Sequence, residues 1–286
     1  MIVITGATGQ LGRLVIQSLL KTVPANEIVA AVRSPEKAAD LAALGVQVRR
    51  ADYTQADTLA AAFTGAEKLL LISSSEVGSR TPQHRAVVDA AKAAGVTLIA
   101  YTSVLHADTS PLGLAAEHVE TEAMLRDSGL PFVLLRNGWY TENYLASMPA
   151  ALAHGALMGS AGNGRIASAA RADYADAAAA VLTQKDPAGQ VYELAGDTGY
   201  TLTEFAAEVA RQSGKAVVYK DMPQADFEAA LVSVGLPPAV ADLLADSDAG
   251  AAKGALFNDG HQLSRLIGRP TTSMADSVTA ALKTAS

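Results

Sequence analysis

The sequence predicts an α/β fold built on a doubly wound parallel sheet, and three observations lead there. The apolar run Met1-Ile2-Val3-Ile4-Thr5 passes directly into Gly6-Ala7-Thr8-Gly9-Gln10-Leu11-Gly12, and Arg13 to Leu20 then carries apolar residues at helical spacing. A short apolar run followed by a helical segment recurs six times without interruption, which calls for parallel strands joined by right-handed crossovers. Runs such as Lys68-Leu69-Leu70-Leu71-Ile72 are continuously apolar rather than alternating, as in a sheet covered on both faces.

The first unit carries the chemistry. In a strand–glycine turn–helix, Gly6 takes the tight turn out of the strand. Gly9 lets backbone approach a pyrophosphate, and Gly12 lets the helix pack on the strand. The backbone of Ala7, Thr8, Gln10 and Leu11 completes the turn, and free N–H groups at the helix start face phosphate oxygens. The spacing G-x-x-G-x-x-G on its own also serves an ordinary βα turn. The strand before it and the helix behind it favour a dinucleotide.

Composition narrows the class. The 286 residues suffice for one large core, or for a core with a smaller lobe. Half of them are apolar, and the net charge of −7 with no basic run argues against a nucleic-acid partner. The chain has no cysteine, which removes disulfides, thiolate nucleophiles and Cys-based metal sites. No apolar stretch is long enough to span a bilayer and no leader pattern precedes the first strand, so a cytoplasmic protein with no membrane partner is expected.

Along the chain, a second strand at 27–32 ends at Arg33, and Pro35 opens a helix expected to reach Leu44. Arg33 stands about twenty residues past the glycines, where a dinucleotide site meets the ribose. A guanidinium there suits a 2′-phosphate, hence NADPH with NADH weaker; the alternative is a solvated strand-end arginine. After a third strand at 46–50, Asp52 can accept from the adenine amino group or cap the helix at 56–63. Ser73, Ser74 and Ser75 end the fourth strand on the ligand-binding edge, near the cofactor ribose or capping loop backbone. His84 lies on a helix at 82–94, where a packed histidine is the ordinary reading, and His106 follows the fifth strand at 97–102. A helix at 114–126 and a sixth strand at 131–136 lead to Asn137, Gly138, Trp139, Tyr140 and Asn143. These can wall a nicotinamide and a flat substrate or simply cover the sheet end.

From about Met148 the pattern changes to Gly-rich turns, a helix at 171–182, a strand at 191–194, a Thr201-x-x-Glu204 capping box and a strand at 216–219. Helical stretches follow to the end. The expected division is therefore 1–147, a dinucleotide-binding domain, and 148–286, a smaller α/β lobe over the substrate cleft whose segments can return to the main sheet.

Several strings together resemble the NmrA-like group of atypical short-chain dehydrogenases/reductases: the early G-x-x-G-x-x-G, Lys68–Gly78, His106–Leu114, Leu135–Tyr140 with Glu142–Leu145, and Tyr192–Asp197. The resemblance covers nearly the whole chain and implies a Rossmann-like fold and, from the members it matches best, an NADPH-dependent quinone reductase. Ordinary family members carry Tyr-x-x-x-Lys on the fifth helix, and extended members a Glu four residues further on. Aligned on Glu122, Leu114 stands at the Tyr position and His118 at the Lys position, leaving Ser103 of the usual trio. Ketone reduction needs protonation of a strongly basic alkoxide, whereas a reduced quinone is a weak base that water can protonate. The missing donor thus fits a quinone acceptor, with Tyr140 and His106 expected to orient its oxygen. It equally fits a sensor that binds NADP(H) without turnover and signals to a protein partner. A homodimer or a protein partner is a further expectation, with the oligomeric state left open by the sequence.

Overall fold

The computed structural model describes residues 1–284. In chain order the elements are β1 (Ile2–Thr5), α1 (Gln10–Leu19), β2 (Ile28–Val32), α2 (Ala39–Ala43), β3 (Gln47–Arg50), α3 (Ala56–Ala62), β4 (Lys68–Leu71), α4 (Arg80–Ala93), β5 (Leu98–Val104), α5 (Ala115–Asp127) and β6 (Phe132–Asn137). There follow α6 (Thr141–Leu145), α7 (Met148–His154), β7 (Ala156–Gly159), α8 (Arg171–Thr183), β8 (Val191–Leu194), α9 (Leu202–Ser213), β9 (Val218–Asp221), α10 (Gln224–Ser233), α11 (Pro238–Ala252), α12 (Gln262–Ile267) and α13 (Met274–Thr284).

The chain forms two compact units interleaved in sequence. One comprises 1–107, 116–137 and 172–192; the other 108–115, 138–171 and 193–286. The main sheet has seven strands in the order β3-β2-β1-β4-β5-β6-β8, and the pairings from β3 through β6 are all parallel. The order reverses at β1, which pairs with β2 on one side (Ile2 with Ile28) and β4 on the other (Ile2 with Lys68). A ligand crevice forms outside the carboxyl ends of the strands at such a reversal.

The continuous apolar runs behave as expected of a sheet covered on both faces. Val3, Leu69, Leu71, Ile99 and Leu134 pack with Phe63, Val87 and Leu125 in one buried cluster. Each such side chain contributes roughly 1.5–3 kcal/mol by leaving water. Lys68 Nζ donates to the carbonyls of Leu182 (2.7 Å) and Gln184 (3.0 Å), so an ammonium closes the carboxyl end of α8. The helix expected from Pro35 to Leu44 is instead a 3-10 turn at Pro35–Ala38 followed by the short α2. Ala38, at the join, has φ −114° and ψ 18°, outside the helical region.

In the second unit, β7 pairs with β9 in a parallel two-stranded sheet (Ala156 with Val218). β7 lies in the stretch read from sequence only as Gly-rich turns. The capping box is present: Thr201 Oγ1 accepts from the Glu204 N–H at 3.2 Å, and Glu204 Oε2 accepts from the Thr201 N–H at 2.7 Å. The segment before α5 is held to α11, where Asp246 Oδ2 accepts from the Gly113 N–H at 2.8 Å.

Beneath the loop that follows β4 lies a buried polar layer. His84 Nε2 accepts from the Ser74 N–H at 2.9 Å, so its proton is on Nδ1, which donates to Thr121 Oγ1 at 2.9 Å. Arg80 Nε donates to the Ser74 carbonyl at 2.6 Å, and Arg80 Nη1 lies 3.4 Å from His118 Nε2. His118 Nδ1 in turn meets the Tyr101 hydroxyl at 2.7 Å. Ser74 is thereby clamped through both its N–H and its carbonyl. Burial, reinforced by the Arg80 charge, lowers His84 to about 4 and His118 to about 3. Both imidazoles are neutral in the fold, whereas a histidine in the unfolded chain titrates near 6.5. Below that pH the unfolded state takes up protons that the folded state refuses, so stability present at neutral pH is lost as pH falls toward the folded values. Urea unfolding at pH 7 and pH 5 should show a loss of about 2 kcal/mol for each imidazole. Equal stability at the two pH values would mean that the histidines are not held neutral.

Candidate dinucleotide site

The site begins with the approach of α1 to β1. A Cβ on Gly12 would lie 2.6 Å from Gly6 O and 2.7 Å from Ala7 Cα, so only glycine permits this packing. Gly6 sits at φ +59°, in the left-handed region, and turns the chain out of the strand. The Gly9 N–H closes the turn on Gly6 O at 2.9 Å. Gly9 is the N-cap of α1, no side chain caps the helix, and its first turn contains no acid. The start of α1 is thus electropositive and open to an anion. Arg13 braces the turn: its Nε donates to Thr8 O at 3.1 Å, Nη2 donates to Lys37 O at 2.7 Å, and Nη1 pairs with Asp40. Arg13 was not singled out by the motif, because a helix-face arginine carries no signature of its partners.

A cleft of about 330 Å³ opens at this turn. It is lined by Gly6, Thr8 and Gly9, by Arg33 past β2, by Asp52 to Thr54 past β3, and by Ser73 to Glu76 past β4. It therefore lies at the strand-order reversal and gathers Arg33, Asp52 and the three serines around the glycine turn. Ala7 is fully buried and Leu11 nearly so, which leaves them their backbone to contribute; Gln10 is exposed.

Arg33 is largely exposed, and its Nη1 donates to Glu76 Oε1 at 2.9 Å. The Asp52 carboxylate accepts from the Thr54 N–H (3.0 Å) and hydroxyl (2.7 Å) on one oxygen and from Gln55 Nε2 (3.2 Å) on the other. The two Thr54 bonds, with Arg33 and Arg50 nearby, hold it below the usual carboxylate range. The serine loop is fixed from beneath: Thr102 Oγ1 accepts from the Ser73 N–H at 2.9 Å, and Ser74 Oγ accepts from the Glu76 N–H at 3.1 Å. These residues fit a dinucleotide. A side chain at Gly9 would enter the turn, and the guanidinium and helix start supply positive charge where phosphates would lie.

Leu114, His118 and Ser103, which the resemblance sets at the proton-transfer positions of short-chain dehydrogenases, are held in three different ways. Leu114 precedes α5, and His118 is buried against Tyr101 and Arg80. Ser103 donates to Glu122 Oε1 at 2.6 Å, and Arg136 holds the same carboxylate through Nε at 2.9 Å and Nη2 at 2.7 Å. Burial pushes the Glu122 carboxyl up, but the Arg136 and Ser103 hydrogen bonds outweigh it and the group stays charged. Ser103 is thus engaged in a buried ion-pair network.

His106, past β5, has φ +54°, an uncommon conformation for a non-glycine residue that costs energy to hold. Asn137 ends β6 and is buried; its carbonyl accepts from the Leu105 N–H at 2.9 Å. In the second unit, Gly138 donates its N–H to Leu194 O at 2.7 Å, and Trp139 O accepts from the Ala169 N–H at 3.2 Å. Tyr140 and Asn143 converge on one residue the sequence reading did not single out. Arg171 Cζ lies 4.6 Å from the centre of the Tyr140 ring, and its Nη2 donates to Asn143 Oδ1 at 3.4 Å. The Arg171 N–H is accepted by the Glu142 carboxylate at 2.9 and 3.1 Å. Nothing local to 171 marks this, since its partners lie about thirty residues upstream. Among the described residues no cluster of His, Asp or Glu is arranged to hold a metal ion, and no helix is long and apolar enough to cross a membrane.

Residues 6–185 match the NAD(P)H-binding family. Quinone oxidoreductase 2 of Escherichia coli (strain K12) is 66% identical over 278 residues, covering 97% of each chain. The crystal structure of an NADPH-dependent quinone oxidoreductase from Escherichia coli complexed with NADPH superposes with a TM-score of 0.97 at 65% identity, covering 99% of this chain and 100% of that one. The triphenylmethane reductase of Citrobacter sp. complexed with NADP(H) has a TM-score of 0.95 at 39% identity, covering 98% of this chain and 100% of that one.

Proposed function

This chain belongs to the NAD(P)H-binding family, and on that premise we propose that it is an NADPH-dependent quinone reductase. The carrying observation is its near-full-length likeness to a quinone oxidoreductase, set on a cleft whose residues fit the dinucleotide. The turn from Gly6 to Gly12 receives the pyrophosphate on the open start of α1. Arg33, at the rim, takes the 2′-phosphate by charge-assisted hydrogen bonds, which makes NADH the weaker cofactor. Asp52, held in its turn by Thr54, and Ser73 to Ser75, clamped from beneath, shape the adenosine side. Asn137 to Tyr140 and Asn143 serve the nicotinamide end, and Tyr140 and His106 orient the quinone oxygen.

When bound, NADPH supplies a hydride. A quinone that has gained two electrons and one proton, as a hydride, is left as a weakly basic hydroquinone anion, which water protonates. The protein therefore needs no proton donor at Leu114, and His118 is free to serve the Ser74 clamp. Rate enhancement comes mainly from holding the two partners in register. The protein is read as cytoplasmic. The alternative of a redox sensor binds NADPH in the same way but does not turn it over, and the reductase names of the relatives favour turnover.

NADPH oxidation, followed at its nicotinamide absorbance with a simple benzoquinone and catalytic protein, should run through many turnovers. Arg33→Ala should weaken NADPH binding at least about tenfold while leaving NADH nearly unchanged. Binding without turnover would make the protein a sensor, and equal losses for both cofactors would remove Arg33 from the 2′-phosphate.

A further inference from the structure

Gln83 lies on the first turns of α4 and lines the same cleft, yet only 7% of it is exposed. Its Nε2 donates to Glu76 Oε2 at 2.7 Å. Its Oε1 is buried and has no hydrogen-bond partner among the described residues. Burying a carbonyl oxygen without a donor is costly, so such a group beside a ligand cleft points to a donor that arrives with the ligand. The orientation of the amide is not arbitrary. Turning it over would set its oxygen against the Glu76 carboxylate and leave a buried N–H₂ unpaired. Glu76 is itself held, through its backbone N–H on Ser74 Oγ at 3.1 Å and through Oε1 on Arg33 at 2.9 Å.

We infer that Gln83 Oε1 accepts a hydrogen bond from the exocyclic amino group of adenine, with Glu76 as the positioning residue that holds the amide by its nitrogen. This rests on the reading that the cleft holds NADPH. With a 2′-phosphate in place, the adenosine half of the cofactor offers two donors, the adenine amine and the ribose 3′-hydroxyl. The hydroxyl neighbours the 2′-phosphate and so stays beside Arg33. Gln83 is separated from Arg33 by the whole Glu76 carboxylate, which suits the amine at the far edge of the base. Asp52, the other side-chain acceptor considered for that amine, already accepts three hydrogen bonds from Thr54 and Gln55, whereas the buried Gln83 oxygen accepts none.

The test is calorimetric and does not depend on activity. NADPH is compared with its hypoxanthine analogue, in which a carbonyl replaces the amino group and would face Gln83 Oε1 acceptor to acceptor. The wild-type protein should bind NADPH about tenfold more tightly than the analogue, the worth of one buried hydrogen bond. Gln83→Met, similar in size but without the amide, should lose about tenfold for NADPH and nothing for the analogue, abolishing the preference. Glu76→Gln, at a half-exposed position that should tolerate the change, should lower the preference by letting the Gln83 amide turn. No preference in the wild type, or equal losses for both ligands in Gln83→Met, would overturn the assignment while leaving the cleft as the NADPH site. Failure of the wild type to bind either ligand would overturn both.

Discussion

A single close approach governs the binding edge of the sheet. α1 comes so near the end of β1 that Gly12 has no room for a side chain against Gly6 O and Ala7 Cα. That packing places an uncapped helix start directly over the strand end, with its first N–H groups free for an anion. The strand-order reversal at β1 then opens the crevice there and nowhere else in the parallel part of the sheet. Arg13 adds a second brace by tying the Thr8 carbonyl to the segment after β2, where Arg33 also emerges. The glycine turn and the cation at the cleft rim are thus positioned by one connected piece of structure.

The loop after β4 is held from beneath by a buried polar layer. His118, at the alignment position of the usual lysine, joins Tyr101 and Arg80 in a buried layer that ends on Ser74. Ser103 is committed to Glu122 and Arg136. At these positions the side chains serve as scaffolding. The absence of a proton donor at Leu114 is compatible with an acceptor whose reduced form is a weak base, and equally with a protein that binds NADP(H) without turnover.

Much of this was legible in the residues. The strand–glycine–helix start, Arg33 past β2 and the serines past β4 each have local signatures, and the structure gathers them around one cleft. The capping box at Thr201 was readable for the same reason: both partners lie within four residues. Features that were not readable depend on distant partners. The Arg171 guanidinium over Tyr140, the Glu76 carboxylate bridging Arg33 and Gln83, and the Thr102 hydroxyl beneath Ser73 leave no periodicity or spacing behind. β7 was hidden because its four residues, ending in Gly159, look like a turn until β9 pairs with them. At Pro35 the sequence offered a good helix start, but the chain first makes a 3-10 turn.

Whether the glycine turn holds the pyrophosphate is tested by calorimetric titration of Gly9→Val with NADPH. Gly9 has an extended backbone, φ −72° and ψ 166°, which valine can adopt, and its Cβ would meet only Gly6 O at 3.1 Å. The Gly9→Val protein should still fold, as judged by circular dichroism, but bind NADPH on the order of a hundredfold more weakly, about 3 kcal/mol. A folded Gly9→Val protein that binds NADPH as tightly as the wild type would contradict the pyrophosphate assignment.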